Sequence, residues 1–478
     1  MSDNSTALSV GDFGAAFKAF LEQSVAQAPA RVPYFRARLS EHFGQSPTEL
    51  PSVAETFPSH NHPNVQMALD SYLGELGRTH QLVGVASEQK RMMGVGLGDL
   101  AAGARGGLMG GAPQQGPVDY LNLSSGDDER IACVQFGVYL IASGDERLAV
   151  LIRGADRRFG NSDVSVEVMA TERADAEQFF ADIRARMSAL NIYRGRIVSL
   201  AQRQMGPLEV KFHHLPTIER DGIVLPTGVL ERIERQTIRF GELAGRLAAA
   251  GRHLKRGLLL WGPPGTGKTL TAMYLARRMP ERTVLVLTGQ TLGLIETSCA
   301  MARLLQPATV ILEDVDLVAE ERTRQSTGTN AVLFELLNQM DGIGDDADVL
   351  FILTTNRPDL LEPALASRPG RIDEAIAVPL PDAECRSRLI ELYGRRLVLD
   401  LSDRDGLVAR TEGVSAAFLK ELLRKAALIA ADTAPADGDL RVTDRHVDEA
   451  MLDLAAGGEL TKVLLGVSPL VGRRPDCG

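Results

Sequence analysis

Positions 258–278 read LLLWGPPGTGKTLTAMYLARR: an apolar run, a glycine-rich loop, then apolar residues at helical spacing. Glycines at 262, 265 and 267 let the loop backbone curl until its N–H groups converge, the geometry that cradles a phosphate chain. The loop closes on Lys268, whose ammonium can reach β- and γ-phosphate oxygens, and Thr269, whose hydroxyl can ligate Mg2+. Gly262, Pro263, Pro264, Gly265, Thr266, Gly267, Lys268, Thr269 and the adjoining Leu270 are therefore the candidate nucleotide cradle, with ATP and Mg2+ as expected ligands. A helix starting there adds a favourable dipole. A turn serving structure alone has no need to end in Gly-Lys-Thr between an apolar strand and a helix.

Two further apolar runs end in side chains suited to the same reaction. TVIL at 309–312 leads into Glu313, Asp314, Val315 and Asp316, and VLFIL at 349–353 leads into Thr354, Thr355 and Asn356. Short apolar runs bounded by polar residues read as buried strands, and α/β sheets bind ligands at the carboxyl ends of their strands. The carboxylates suit a metal holder and a water activator, with plain surface acidity as the alternative. Asn356 offers either an amide that orients the attacking water or a turn residue.

The combination of GPPGTGKT, EDVD, LLNQMDG at 336–342 and TTNRPDLLEPALASRPGRID at 354–373 resembles the AAA clade of ATPases, including its second region of homology. The resemblance runs from about Asp221 to Gly457, roughly half of the chain. It implies an α/β P-loop core, a parallel sheet flanked by helices, followed by a small helical lid. It also implies that Arg368 and Arg371 act as arginine fingers on a neighbouring subunit's ATP, where a guanidinium neutralises charge on the transferred phosphoryl group. Two arginines holding a loop by salt bridges is the plainer alternative. Asp341, Gly342 and Ile343 resemble the family's intersubunit signalling segment, or else form a helix C-cap. Ile223 and Val224 stand where the family contacts adenine, and residues 411–430 look like the lid that closes on the nucleotide. No arginine stands at the sensor-2 position of the wider superfamily.

Two departures from the family pattern bear on chemistry. Most members carry Asp-Glu where this chain has Glu313-Asp314, an order similar to that of the mitochondrial Rieske-assembly AAA subgroup. In that register Glu313 holds Mg2+ through water and the shorter Asp314 polarises the attacking water. Were Asp314 the metal holder, Val315 would fall at the base position and hydrolysis would be negligible. Only 24 residue steps separate Gly289 from Glu313, fewer than threading members use, and the segment 290–295 (QTLGLI) has no aromatic residue. Leu292 and Leu294 are its nearest apolar candidates for gripping a peptide.

The rest of the 478 residues must position this machinery and supply a client. That length exceeds one hydrophobic core, and 44% apolar with 24% charged residues fits an ordinary globular chain. With 52 Lys+Arg against 62 Asp+Glu the net charge is −10, so no basic surface for nucleic acid is expected. No basic leader precedes an apolar stretch, and the longest apolar run, 131–143, is too short to span a bilayer, so a cytoplasmic protein without a membrane anchor is expected. Cys133, Cys299, Cys385 and Cys477 are scattered without metal-ligand spacing. Residues 1–93 show helical spacing; His60 and His62 in SHNHP lack further ligand candidates, so no metal site is expected there. Nine glycines within 94–116 predict a flexible linker over 94–117. Residues 118–206 read as an α+β domain, with Arg153, Arg157 and Arg158 as a solvated face. The large nucleotide-binding domain is expected over 207–378, the lid over 379–465 and a free tail over 466–478. The sum of these readings is a homo-hexameric, Mg2+-dependent ATPase ring that remodels or translocates an unknown protein client recognised by residues 1–206. The rival is a nucleotide-gated scaffold or assembly adaptor with little or no hydrolysis.

Overall fold

The computed structural model describes residues 13–19, 32–86, 94–103, 112–156, 161–202, 208–316, 338–342, 344, 346–361, 371–433 and 439–456. The chain divides into two compact units, 1–123 with 132–190, and 124–131 with 191–478.

In the first unit, strands β1 (Ser52–Pro58), β2 (Arg78–Ala86), β3 (Gln114–Gly116), β4 (Asp119–Ser124), β5 (Arg130–Ser143), β6 (Glu146–Arg153) and β7 (Asp163–Ala170) form one sheet. Its order is β1-β7-β6-β5-β2-β3, with β4 on β5. Along β6 the side chains alternate between two cores. Leu148, Val150 and Ile152 face helices His62–Leu73 and Arg173–Ala189, through Leu69, Tyr72, Phe179 and Phe180. Ala149 and Leu151 face helices Tyr34–Phe43 and Leu97–Ala102, through Phe35, Leu39, Leu97 and Leu100. Burying each such large apolar side chain contributes about 1.5–3 kcal/mol, which is why β6 reads as an unbroken apolar run.

Three expectations need correction here. The stretch 1–93 is not helical throughout, because β1 and β2 lie inside it. β1 is an edge strand of mostly exposed and half-buried residues and β2 opens on exposed polar ones, so neither carries a strong apolar period. The glycine-rich stretch also holds structure: Leu97, Leu100 and Ala101 are buried on a short helix, and β3 pairs with β2. Glu167 anchors that helix by accepting from Leu97 N–H at 2.8 Å. Arg153 is not a solvated side chain either; it pairs with Glu167 and donates to Ser165 Oγ at 3.2 Å. Arg157 and Arg158 lie outside the described residues. His60 and His62 are both buried, and His62 Nε2 donates to the Val134 carbonyl at 3.0 Å.

The second unit is built on β8 (Ile197–Gln202), β9 (Leu208–Phe212), β10 (Arg256–Trp261), β11 (Thr283–Thr288), β12 (Ala308–Glu313), β13 (Val349–Thr355) and β14 (Glu374–Ala377). The order is β14-β10-β13-β12-β11-β8-β9, parallel except for β9. Alternate residues again serve two faces: Leu258, Leu260, Ile311 and Ile352 pack with Ala272 and Leu275 of helix Lys268–Arg278, while Leu259, Val310 and Phe351 pack with Cys299 and Ala302 of helix Ile295–Leu304. In register, Trp261 lies opposite Thr355 and Leu312 opposite Leu353. The carboxyl ends of β10, β12 and β13 therefore deliver the glycine-rich loop, the acidic run and Asn356 to one edge of the sheet.

β8 falls in the stretch read as the end of the preceding α+β domain, yet it pairs with β11 and, together with β9, extends the nucleotide-binding sheet. Val198, Leu200 and Val210 belong to its core together with Leu285 and Val310. The boundary thus lies near residue 190 and not 206. Beyond β14, helices Ala383–Gly394, Arg404–Arg410, Ala416–Thr433 and Asp444–Ala456 form the lid around Leu389, Leu419, Leu422 and Val447. Two short parallel strands, β15 (Val398–Asp400) and β16 (Arg441–Thr443), lie within it. The expected tail, 466–478, lies outside the described residues. Among the described residues no helix is long and apolar enough to cross a membrane.

Candidate nucleotide site

β10 delivers the chain to Gly262, and the loop then turns through positive φ at Gly262 (153°), Gly265 (74°) and Gly267 (99°). Such angles disfavour any side chain with a Cβ, so the glycine spacing is a backbone requirement. Thr266 Oγ1 donates to the Pro263 carbonyl at 3.0 Å and closes the turn. Lys268 opens the helix and folds back, its Nζ donating to the carbonyls of Gly262 at 2.9 Å and Pro263 at 2.8 Å. Burial pushes the Lys268 ammonium down to about 8, against the opposing pull of Asp314 and Asp316. Thr269 and Leu270 are exposed on the first turn.

The lid reaches this loop. Gly265 O accepts from Ala417 N–H at 3.1 Å, and a Cβ on Gly265 would lie 2.8 Å from Ser415 Oγ and 2.9 Å from Ala417 Cβ. The family resemblance makes 411–430 a lid that closes on the nucleotide, but no residue type at 415–417 marks this particular contact, because the signal is the tightness of approach across 150 residues of chain.

The acidic run faces the loop. Glu313 lies beside the Thr269 hydroxyl, and its Oε1 is buried with no hydrogen-bond partner. Burial, then the charge of Asp314, raises the Glu313 carboxyl above its ordinary range. A buried, unsatisfied carboxylate oxygen beside a threonine hydroxyl fits a hard cation that takes oxygen ligands, so Thr269 and Glu313 are a sound donor set for Mg2+. Asp314 has φ 48°, the single positive φ of a non-glycine among the described residues. Asp and Asn tolerate that conformation better than longer side chains do. Its N–H donates to Thr354 Oγ1 at 3.1 Å, and its Oδ1 accepts from Asn356 Nδ2 at 3.1 Å. Asp316, buried at 5% exposure, accepts through Oδ1 from Thr355 Oγ1 at 2.8 Å and Asn356 N–H at 3.1 Å.

The structure thus brings Lys268, Thr269, Glu313, Asp314 and Asn356 together. Arg371 stands apart from them: it is half-buried and paired with Asp341 of its own chain. Arg368 and Ile343 lie outside the described residues. Ile223 packs into the core of the large domain and Val224 into that of the lid, so this segment spans their junction. Leu294 is half-buried against the large-domain core, while the side chain of Leu292 lies outside the described residues.

A family model described as the ATPase family associated with various cellular activities (AAA) matches residues 258–380. The chain is 30% identical over 302 residues to the proteasome-activating nucleotidase of Pyrococcus horikoshii, covering 55% of this chain and 73% of that protein. The nucleotidase of the same name from Methanosarcina mazei is 28% identical over 290 residues, covering 54% and 67%. The ATP-dependent zinc metalloprotease FtsH of Rhodococcus erythropolis is 34% identical over 236 residues, covering 47% of this chain and 27% of its own length.

Proposed function

The chain belongs to the AAA family of ATPases and works with ATP and Mg2+, and from that membership we propose that it forms a homo-hexameric ring coupling hydrolysis to the remodelling of a protein client. The observation that carries this reading is the incomplete cis site. Lys268, Thr269, Glu313, Asp314 and Asn356 converge, yet Arg371 is turned onto Asp341 of its own chain. Among the described residues no arginine joins this group, and in a ring Arg371 and Arg368 of a neighbouring subunit would add the further cation for the transferred phosphoryl group.

In this reading the loop N–H groups and Lys268 bind the phosphates, and Thr269 and Glu313 would hold Mg2+, which would supply positive charge to the phosphates. Asn356 aims the Asp314 carboxylate, and Asp314 takes the proton of the attacking water. Ile223 and Val224 border the adenine. The first unit recognises the client. The relatives' names, a proteasome activator and an ATP-dependent protease, support a protein as the thing acted upon. The sequence has no His-Glu-x-x-His segment, so proteolysis is no part of the proposal. A nucleotide-gated scaffold is the second reading, favoured by the reversed Glu313-Asp314 order and by the absence of an aromatic residue from 290–295.

ATP turnover measured against protein concentration, alone and mixed with Arg368→Ala/Arg371→Ala chains, tests the proposal. Cooperative turnover poisoned by the variant is expected. Turnover proportional to concentration and indifferent to the variant refutes the ring, and bound ATP with turnover near zero moves the assignment to the scaffold.

A further inference from the structure

We infer that Asp316 is a positioning residue for hydrolysis, holding Asn356 so that its amide aims Asp314. The inference rests on the roles proposed above for Asn356 and Asp314 and adds a residue to them. One buried oxygen, Asp316 Oδ1, takes two donors from the end of the neighbouring strand: the Thr355 hydroxyl at 2.8 Å and the Asn356 N–H at 3.1 Å. Thr355 Oγ1 in turn accepts from Arg357 N–H at 3.0 Å. The first peptide units beyond β13 are thereby pinned to the residue two past Asp314.

The remaining link closes the frame. Asn356 Nδ2 donates to Asp314 Oδ1 at 3.1 Å, while Asp314 N–H donates to Thr354 Oγ1 at the same distance. Asp314 leaves its strand at φ 48°, off the extended path, so the direction of its carboxylate depends on these cross-strand bonds and not on the β12 ladder. Burying a carboxylate carries a desolvation cost that a neutral acceptor would avoid, and here it sits next to two other carboxylates. Its oxygen is matched by two donors whose placement decides where the Asn356 amide points. Removing the acceptor leaves the fully buried Thr355 hydroxyl and the N–H of half-buried Asn356 without their acceptor.

The test compares Asp316→Ala, Asp316→Asn, Thr355→Val and Asp314→Asn in the full chain, reading steady-state turnover and the affinity of a fluorescent ATP analogue. Asp316→Ala is expected to lower kcat about 100-fold, the scale of a sub-ångström to 1 Å misplacement, with analogue affinity within about threefold of the parent. Asp316→Asn keeps an acceptor oxygen in place and is expected to restore kcat to within about fivefold of the parent. Thr355→Val removes one donor to Asp316, and with it the acceptor of Arg357 N–H, without changing side-chain shape and is expected to cost kcat about tenfold, which carries the test if the alanine variant fails to fold. The inference is overturned if kcat of Asp316→Ala and Thr355→Val stays at the parent level, or if Asp316→Asn is as impaired as the alanine. Parent-level turnover in Asp314→Asn would instead remove the role proposed for Asp314, whatever the Asp316 variants do.

Discussion

Gly265→Ala is the sharpest single perturbation of the cradle. Gly265 has φ 74°, and a residue with a Cβ held there costs about 1–2 kcal/mol in backbone strain alone. The new Cβ would also lie 2.8 Å from Ser415 Oγ and 2.9 Å from Ala417 Cβ, closer than such contacts allow, so the lid helix or the loop has to move. Moving either breaks the 3.1 Å bond from Ala417 N–H to Gly265 O, worth about 0.5–1.5 kcal/mol. The total, about 1.5–3.5 kcal/mol, falls on the phosphate-binding conformation and corresponds to roughly 10–300-fold weaker nucleotide binding. Titration of a fluorescent ATP analogue measures it, with thermal unfolding alongside to show that the sheet is intact. Adding Ser415→Ala removes the Oγ contact and should recover part of the loss, because the strained backbone and the Ala417 contact remain. Affinity within about threefold of the parent for Gly265→Ala would refute the reasoning, since at least the strain term must appear.

Asp314→Asn keeps the acceptor for Asn356 but cannot take a proton, and turnover should fall at least about 100-fold with ATP still bound; parent-level turnover would make Asp314 a bystander. Arg282 ties the amino ends of β11, β12 and β13 through Asp348 at 2.7 Å, Thr309 Oγ1 at 3.1 Å and the Ala308 carbonyl at 2.6 Å. Arg282→Leu leaves Asp348 half-buried and unpaired and should cost about 3–5 kcal/mol in urea unfolding, a loss below about 1 kcal/mol speaking against the pairing. Burial holds His60 and His62 at about 4, below their ordinary 6.5. The unfolded chain therefore binds more protons between those values, so stability of the first unit is full above pH 6.5 and falls as pH drops toward 4, by up to roughly 3 kcal/mol per histidine. Hydrogen exchange of β5 and β6 across pH 7 to 5 reads this, and His60→Gln/His62→Gln should flatten the slope.

The reaction-bearing half was legible because each of its elements has a local signal. Gly262, Gly265 and Gly267 announce a backbone that no other residue adopts easily, and β10, β12 and β13 are buried on both faces, which leaves continuous apolar runs ending in the reactive side chains. Edge position hid the rest. β1 shows one face to its partner helix and the other outward, so its pattern competes with helical spacing. Leu97 and Leu100 are two buried leucines in a glycine-rich field, too few to outweigh the composition around them. The fold also recruits residues whose types are unremarkable, such as Ser415, Ala417 and Thr354, through approaches between segments far apart in sequence.

The seating of β8 and β9 in the nucleotide-binding sheet bears on where the first unit can be exchanged for another. A chain trimmed at residue 207 would lose the strand whose Ile197 and Val198 pair with Val284 and Leu285. It would bare the N–H and C=O row of β11, a buried TVLVL segment, as an open template for aggregation. Trimming near residue 191 keeps that row covered. The ATPase unit of this protein therefore carries its own edge guard, β8 and β9, and any exchanged N-terminal module has to be joined ahead of it.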